Sequence, residues 1–298
     1  MQSQTAGAPA IEFRNVSLTY DEKPVLRNID FTLARGEMLF LTGLSGSGKS
    51  VLLHLAMTLE RPDDGQILVE GVDTGPLSED QLLNLRGSRM GIVFQEDSLF
   101  TGLSVYDNVA YRLATHGGRR DKIDAAVMET LHFVGLAEEA EKFPFELSGG
   151  MRRRVELARA LIGWPSIMLF DEPALGLDPI TASQILDLII RARDVSGISS
   201  IYVTKKLDEI PYLATHQAKK EGEAIVIEPA ASPDDQPRTR VIVLDQGRIV
   251  FSGSVTDFEQ SSLPVVTRLT HAENGTVISD FPTTNPWNKE RRPLHPIL

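Results

Sequence analysis

Residues Gly43-Leu44-Ser45-Gly46-Ser47-Gly48-Lys49-Ser50 combine what a polyphosphate needs from a protein: bare backbone, a cation and a hydroxyl. The glycines let successive N–H groups turn inward around an oxyanion, and a following helix adds the positive end of its dipole. In this pattern Lys49 neutralises charge on the β- and γ-phosphates and Ser50 ligates Mg²⁺. Farther along, Asp171 and Glu172 close the apolar run Ile167-Met168-Leu169-Phe170, which puts two carboxylates at the rim where ligands bind in such sheets. Asp171 can hold Mg²⁺ through water, and Glu172 can polarise an attacking water as general base. By itself an Asp-Glu pair reads as two solvated acids; coupled to a phosphate loop it reads as catalytic machinery. Leu147-Ser148-Gly149-Gly150 offers small residues at a helix start, hence a second anion-binding surface or an ordinary N-cap serine with a flexible glycine pair. Arg152-Arg153-Arg154 follow; they could face phosphate or an acidic partner, but at least two of them are expected to be solvated.

These groups need elements to hold them. Residues 11–20 and 25–33 alternate apolar and polar side chains around Asp21-Glu22-Lys23-Pro24, the pattern of a strand pair with one buried face. Met38-Leu39-Phe40-Leu41 reads as a fully buried parallel strand feeding the glycine-rich loop, followed by a helix from about Lys49 to Leu59. A strand is expected at Met90 to Phe94, ending at Gln95. From about 102 to 162 the chain becomes mostly helical: Ile123, Val127, Leu131 and Val134 share one helix face, and a helix near Gly149 should carry Met151, Val155, Ala158 and Ile162 inward. Buried strands return at Ile167–Phe170 and Ile198–Val203, with a long helix, about Pro179 to Val195, between them. The architecture is an α/β core built on a P-loop with a helical insertion.

The bulk numbers remove other classes. The 298 residues carry a net charge of -11 and no long Lys/Arg block, which disfavours a nucleic-acid partner. With no cysteine, disulfides, thiolate catalysis and Cys-ligated zinc are excluded. The first ten residues lack the basic start and apolar stretch of a signal peptide, and no apolar run of about 18 residues is present to span a bilayer. A soluble, cytoplasmic protein is therefore expected. Residues 217–240, rich in Lys, Glu, Asp and Pro, read as a polar, mobile excursion before the strand Val241–Leu244. Pro282, Pro286, Pro293 and Pro296 mark a tail without long helices or central strands, either mobile surface or a segment that docks on a partner.

The order of the phosphate loop, Leu147-Ser148-Gly149-Gly150-Met151 and Ile167…Asp171-Glu172-Pro173 resembles the ATP-binding subunit of an ABC transporter, over about residues 11–255. The resemblance implies a P-loop NTPase core with a RecA-like mixed sheet, an antiparallel β-subdomain and an inserted helical subdomain. It divides the chain into a flexible start at 1–10, an ATPase domain at 11–257 (helical at about 102–162, polar insertion at about 217–240) and an extension at 258–298, Pro-rich from about 281. ATP and Mg²⁺ are the implied cofactors. The implied partners are a second copy in a head-to-tail dimer, where Ser148, Gly149 and Gly150 cap ATP on the other subunit's loop, and an integral-membrane permease on the inner face of the cell membrane. Tyr20 matches the ring placed against adenine, or is only a strand residue. Gln95 matches the glutamine linking Mg²⁺ and lytic water to the permease, or is only a polar strand end. Asp178, in Gly176-Leu177-Asp178-Pro179, matches the loop that crosses the dimer interface and also reads as an N-cap.

Two departures follow. Lys205, in Val203-Thr204-Lys205-Lys206-Leu207-Asp208-Glu209, stands where the family has a histidine. Lysine pairs with a γ-phosphate as a point charge but cannot donate and accept at once like a neutral imidazole. The alternative to a transport ATPase is therefore an ATP-gated regulatory or catalytically weak subunit. His216 also follows a threonine, but lies beyond a helix-like stretch and reads as a surface residue. Met151 replaces the usual glutamine, and with Gly150-Met151-Arg152-Arg153-Arg154-Val155 and Val105-Tyr106-Asp107-Asn108-Val109-Ala110 it looks like the ATPases of Mla-type lipid transporters. Those work with MCE proteins, and the resemblance adds MCE-type and small regulatory proteins as partners, with phospholipid or other hydrophobic cargo.

Overall fold

The computed structural model describes residues 7–273, apart from 116, 118, 222, 223 and 233–235. The Pro-rich tail and residues 1–6 lie outside the described residues.

The alternating N-terminal segments form strands β1 (Ile11–Tyr20) and β2 (Lys23–Leu33), an antiparallel hairpin. Asp21 and Glu22 turn it with φ of 46° and 63°, the left-handed geometry whose twist suits two-residue hairpins. Strand β3 (Met38–Thr42), buried throughout, leads through the glycine-rich loop to helix α1 (Lys49–Ala56). That helix ends before Leu59 because Thr58 takes a φ of 57°. Strands β4 (Asp64–Val69) and β5 (Val72–Asp73) complete an antiparallel sheet of order β2-β1-β4-β5. Helix α2 (Glu79–Arg89), closed by a Ser78–Gln81 capping box, runs into strand β6 (Met90–Val93). Helices α3 (Val105–Thr115), α4 (Arg120–Phe133) and α5 (Gly149–Leu161) follow. Strand β7 (Ile167–Asp171), helix α6 (Pro179–Ser196) and strand β8 (Ser199–Val203) then return the chain to the sheet, and helix α7 (Glu209–Thr215) leaves it.

The polar stretch at 217–240 is not merely a mobile excursion. It carries a hairpin of strands β9 (His216–Glu221) and β10 (Ala224–Pro229), paired antiparallel. Ala218 and Ile227 pack against the core, Arg193 donates to the His216 carbonyl at 2.7 Å, and Ala218 N–H donates to Asp194 at 2.7 Å. Charged neighbours hide the short apolar stripe that anchors it. Strands β11 (Thr239–Asp245) and β12 (Arg248–Gly253) and helices α8 (Val255–Glu259) and α9 (Pro264–Glu273) end the described chain.

The second sheet has the order β12-β11-β3-β8-β7-β6, parallel from β11 to β6 with β12 antiparallel at the edge. Both faces of its parallel part are covered, so β3 and β7 are buried throughout, while the edge strand β12 alternates exposed and half-buried residues. Met38, Phe40, Phe170 and Tyr202 face the core shared with α3–α6, while Leu39, Leu41, Leu169 and Val203 face the core shared with α1 and the antiparallel sheet. Among the described residues no helix is long and apolar enough to cross a membrane.

Candidate functional site

Sheet order decides which loops meet. Strand β8 inserts between β3 and β7, and β6 flanks β7, so four neighbouring strands end on one rim. The glycine-rich loop leaves β3, Lys205 follows β8, Asp171 and Glu172 close β7, and Gln95 follows β6. Register levels them, with Leu41 opposite Val203, Val203 opposite Asp171, and Phe170 opposite Val93. Residues up to about 160 positions apart in sequence thus face one ligand space, as expected outside the carboxyl ends of a parallel sheet.

The loop itself tolerates only glycine at its start. Gly43 has a φ of 149°, and a Cβ there would lie 2.1 Å from the Leu244 carbonyl oxygen. Lys49 folds back on the loop and donates to the carbonyls of Gly43 at 2.7 Å and Leu44 at 2.9 Å. Burial lowers its pKa, and the like charge of Lys205 lowers it further, against the pull of Glu172 and Asp171. The Ser47 hydroxyl is buried without a partner, and Ser45 and Gly46 are exposed. This loop is therefore short of an anion: it has a cation resting on carbonyls and an unused donor.

Burial raises the Asp171 carboxyl, only partly offset by a hydrogen bond from Ser50. Its Oδ1 is buried with no partner. A carboxylate oxygen left open beside a serine hydroxyl is the hard-oxygen donor set that Mg²⁺ takes together with phosphate oxygens, so these residues fit that ion. Glu172 is buried in a left-handed conformation, φ 47°, with its N–H on the Val203 carbonyl at 3.0 Å. A non-glycine residue in that region stores strain that the surrounding structure must hold. Its carboxylate pairs with Lys205 at 2.7 Å, with side-chain exposures of 6% and 41% respectively. The general-base candidate and the residue in the histidine's place therefore touch.

Ser148 caps α5, accepting from Met151 N–H at 3.2 Å, and Ser148 and Gly149 are exposed. That helix start is free to meet an anion from outside. Asp178 caps α6, accepting from Ile180 and Thr181 N–H at 3.1 and 3.0 Å; a bond from the Thr181 hydroxyl, with those N–H groups, holds its carboxyl below the usual range. Leu175 and Ile180 flank it with exposed apolar side chains. Tyr20 ends β1 exposed, with its hydroxyl on Glu60. Gln95 is half-buried, and its carbonyl accepts from Arg153 at 2.9 Å.

The ABC transporter family model matches residues 26–175, which span the phosphate loop, Ser148-Gly149-Gly150 and the Asp171-Glu172 rim. This chain belongs to the ABC transporter ATP-binding family. As such it is an ATP-binding subunit and an ATPase that uses ATP and Mg²⁺, with a dimer and a membrane permease as its working assembly. It is 37% identical over 83% of its length to the methionine import ATP-binding protein MetN of Carboxydothermus hydrogenoformans, spanning 67% of that protein. It is 42% identical over 66% of its length to the lipoprotein-releasing ATP-binding protein LolD of Bordetella pertussis, spanning 87% of it. It is 34% identical over 86% of its length to the intermembrane phospholipid transport ATP-binding protein MlaF of Escherichia coli, spanning 97% of it. The fold matches a dimeric ATP-binding cassette solved after hydrolysis with ADP and Pi, at TM-score 0.68 and 26% identity over 82% of this chain and 98% of that one.

Two expectations about this cassette need correction. Fewer than two of the three arginines are solvated: Arg152 pairs with Asp97 at a side-chain exposure of 37%, Arg153 is buried against Glu156, and half-buried Arg154 bonds Gln184. Glu156 lies on the same helix, but Asp97 and Gln184 belong to other elements and cannot be read from a charge run. His216 is half-buried rather than a plain surface residue, stacked on Tyr212 with ring centroids 4.2 Å apart, where it opens the β9–β10 hairpin. Sequence reasoning also passed over Glu209, which is buried and accepts from Tyr202 at 2.8 Å and Thr204 at 2.7 Å. It pins the turn that presents Lys205.

Proposed function

We propose that this subunit powers transport of phospholipid or other hydrophobic cargo across the bacterial envelope, from the cytoplasmic face of the cell membrane. One observation carries the cargo class: the relative named for phospholipid transport is matched over 97% of its own length, against 87% for lipoprotein release and 67% for methionine import. MCE-type and small regulatory proteins are the partners that go with that cargo. The functional unit is residues 11–257, with the helical part at about 102–162 and an extension at 258–298.

In this reading two copies meet head to tail. Ser148 and the N–H groups of Gly149 and Gly150 cap a γ-phosphate held by the other copy's loop, residues 43–50. Leu175 and Ile180, 40% and 60% exposed beside Asp178, supply apolar surface for that closure. Tyr20 lies against adenine after leaving Glu60. Lys49 exchanges the carbonyls of Gly43 and Leu44 for phosphate oxygens. Lys205 exchanges Glu172 for the γ-phosphate, which frees the Glu172 carboxylate to take a proton from the attacking water. Ser50 and Asp171, with Gln95, would hold Mg²⁺, which when bound offsets phosphate charge. Catalysis is then positioning plus charge stabilisation. Gln95 and residues 98–115 form the permease side, where the exposed rings of Phe100 and Tyr111 meet at a tilt of 46° with centroids 4.7 Å apart.

The test is hydrolysis by the full complex in vesicles. Phospholipid as the stimulating cargo, with stimulation lost in Glu172→Gln, is the expected result; stimulation by methionine or by lipoprotein alone would overturn the cargo assignment.

A further inference from the structure

The loop between β6 and α3 is bound to helix α5 at nearly every residue from 94 to 98. Arg153 donates to the carbonyls of Phe94 at 2.6 Å and Gln95 at 2.9 Å, and to Glu156 Oε2 at 2.7 Å. The other Glu156 oxygen accepts from the Ser98 N–H at 2.7 Å and from its hydroxyl at 3.2 Å. Arg159 donates to the Ser98 carbonyl at 2.8 Å and hydroxyl at 2.6 Å, and Arg152 pairs with Asp97 at 2.9 Å. Arg153 and Glu156 are 9% and 2% exposed. Burial pushes the Glu156 carboxyl up while Arg153 pulls it down. The attraction between the two charges contributes little net stability, because it is offset by their desolvation; the bonds to the Phe94, Gln95 and Ser98 backbone are the part that apolar side chains could not replace. What the pair does fix is geometry: the planar guanidinium fork of Arg153 locks two carbonyls and a carboxylate in one arrangement.

One end of this lock is a candidate Mg²⁺ contact and the other a candidate phosphate contact. Gln95 belongs to the rim beside Asp171. Ser148 lies on the same helix as Arg153, one and a half turns away, about 7.5 Å along the axis.

We propose that Arg153 and Glu156 are positioning residues that couple the two ATP sites of the dimer: a shift of Gln95 on binding ATP is carried through α5 to Ser148, which meets the partner's ATP. This rests on the head-to-tail reading above. The pair touches no nucleotide, so it acts on closure and turnover and leaves the affinity of a single subunit alone.

Three forms of the full chain decide it: wild type, the double variant Arg153→Met/Glu156→Met, and Arg153→Lys. Each is measured for melting temperature, Mg-ATP affinity at dilution, dimerisation with Mg²⁺ and a non-hydrolysable ATP analogue, and kcat. The expected double variant melts lower, because the Phe94 and Gln95 carbonyls and the Ser98 N–H lose partners, but it stays folded and binds Mg-ATP with the same affinity. Its dimerisation is weaker and its kcat about tenfold lower, the size typical of broken coupling elements. Arg153→Lys, which keeps the charge opposite Glu156 but loses the fork, falls between. A folded double variant with wild-type dimerisation and kcat overturns the proposal. If the double variant does not fold, Arg153→Lys alone is read: lowered kcat at unchanged affinity supports coupling, and wild-type kcat overturns it. A wild type that neither dimerises nor hydrolyses ATP would instead sink the head-to-tail reading, and this proposal with it.

Discussion

Breaking the Lys205–Glu172 contact should weaken the nucleotide-free fold by a definite amount. The charges sit 2.7 Å apart, so the raw attraction is about 6 kcal/mol at an effective dielectric of about 20. Most of that is lost to desolvating Glu172 and to water around Lys205, which is 41% exposed. A fully buried pair loses about 3–5 kcal/mol when one partner is removed, and an exposed pair is worth about 0–1. A half-wet pair belongs between, at about 1–2 kcal/mol of interaction energy. Urea unfolding of wild type, Lys205→Met, Glu172→Gln and the double variant isolates that term as a double-mutant cycle. The same cycle with saturating Mg-ATP should shrink towards zero, because Lys205 then faces phosphate. Coupling below about 0.3 kcal/mol without nucleotide would refute the pairing. Coupling of unchanged size with Mg-ATP would refute the exchange.

Other consequences concern single residues. Gly43→Ala should abolish ATP binding in a nucleotide-binding assay, since its methyl would overlap the Leu244 carbonyl at 2.1 Å; retained affinity would mean that the loop can shift. Asp178→Ala should lower stability by about 1 kcal/mol through loss of the α6 cap, with Asp178→Asn losing much less, as read by denaturant midpoints. Glu209 gives a pH dependence. Burial holds its carboxyl above the ordinary 4.5, so the folded chain keeps this proton to higher pH than the unfolded chain does. Stability from that group is therefore present below 4.5 and lost as pH rises through the raised value. Glu209→Gln should flatten that part of the stability profile, and an unchanged slope would count against it.

How much of this was legible in the sequence depended on how local the physics is. The phosphate loop, the β3 and β7 strands and the caps at Ser148 and Asp178 follow from backbone rules acting within a few residues, and they were readable. The Lys205–Glu172 contact was not, because it exists only once β8 is threaded between β3 and β7. The arginines looked like a wet helix face because most of their partners, Phe94, Gln95, Asp97 and Gln184, come from other elements. The β9–β10 hairpin was hidden by its composition: Lys219 and Glu228, paired at 3.0 Å, carry the polar signal, while Ala218 and Ile227 anchor it.

The most direct test of the account is steady-state Mg-ATP hydrolysis by the purified chain and its Glu172→Gln variant, with ATP affinity measured beside it. Turnover in wild type that falls at least about 100-fold in the variant, at unchanged affinity, is the predicted result for a general base. Equal turnover in the two would contradict it, and the rim of β7 would no longer be the place where ATP is cleaved.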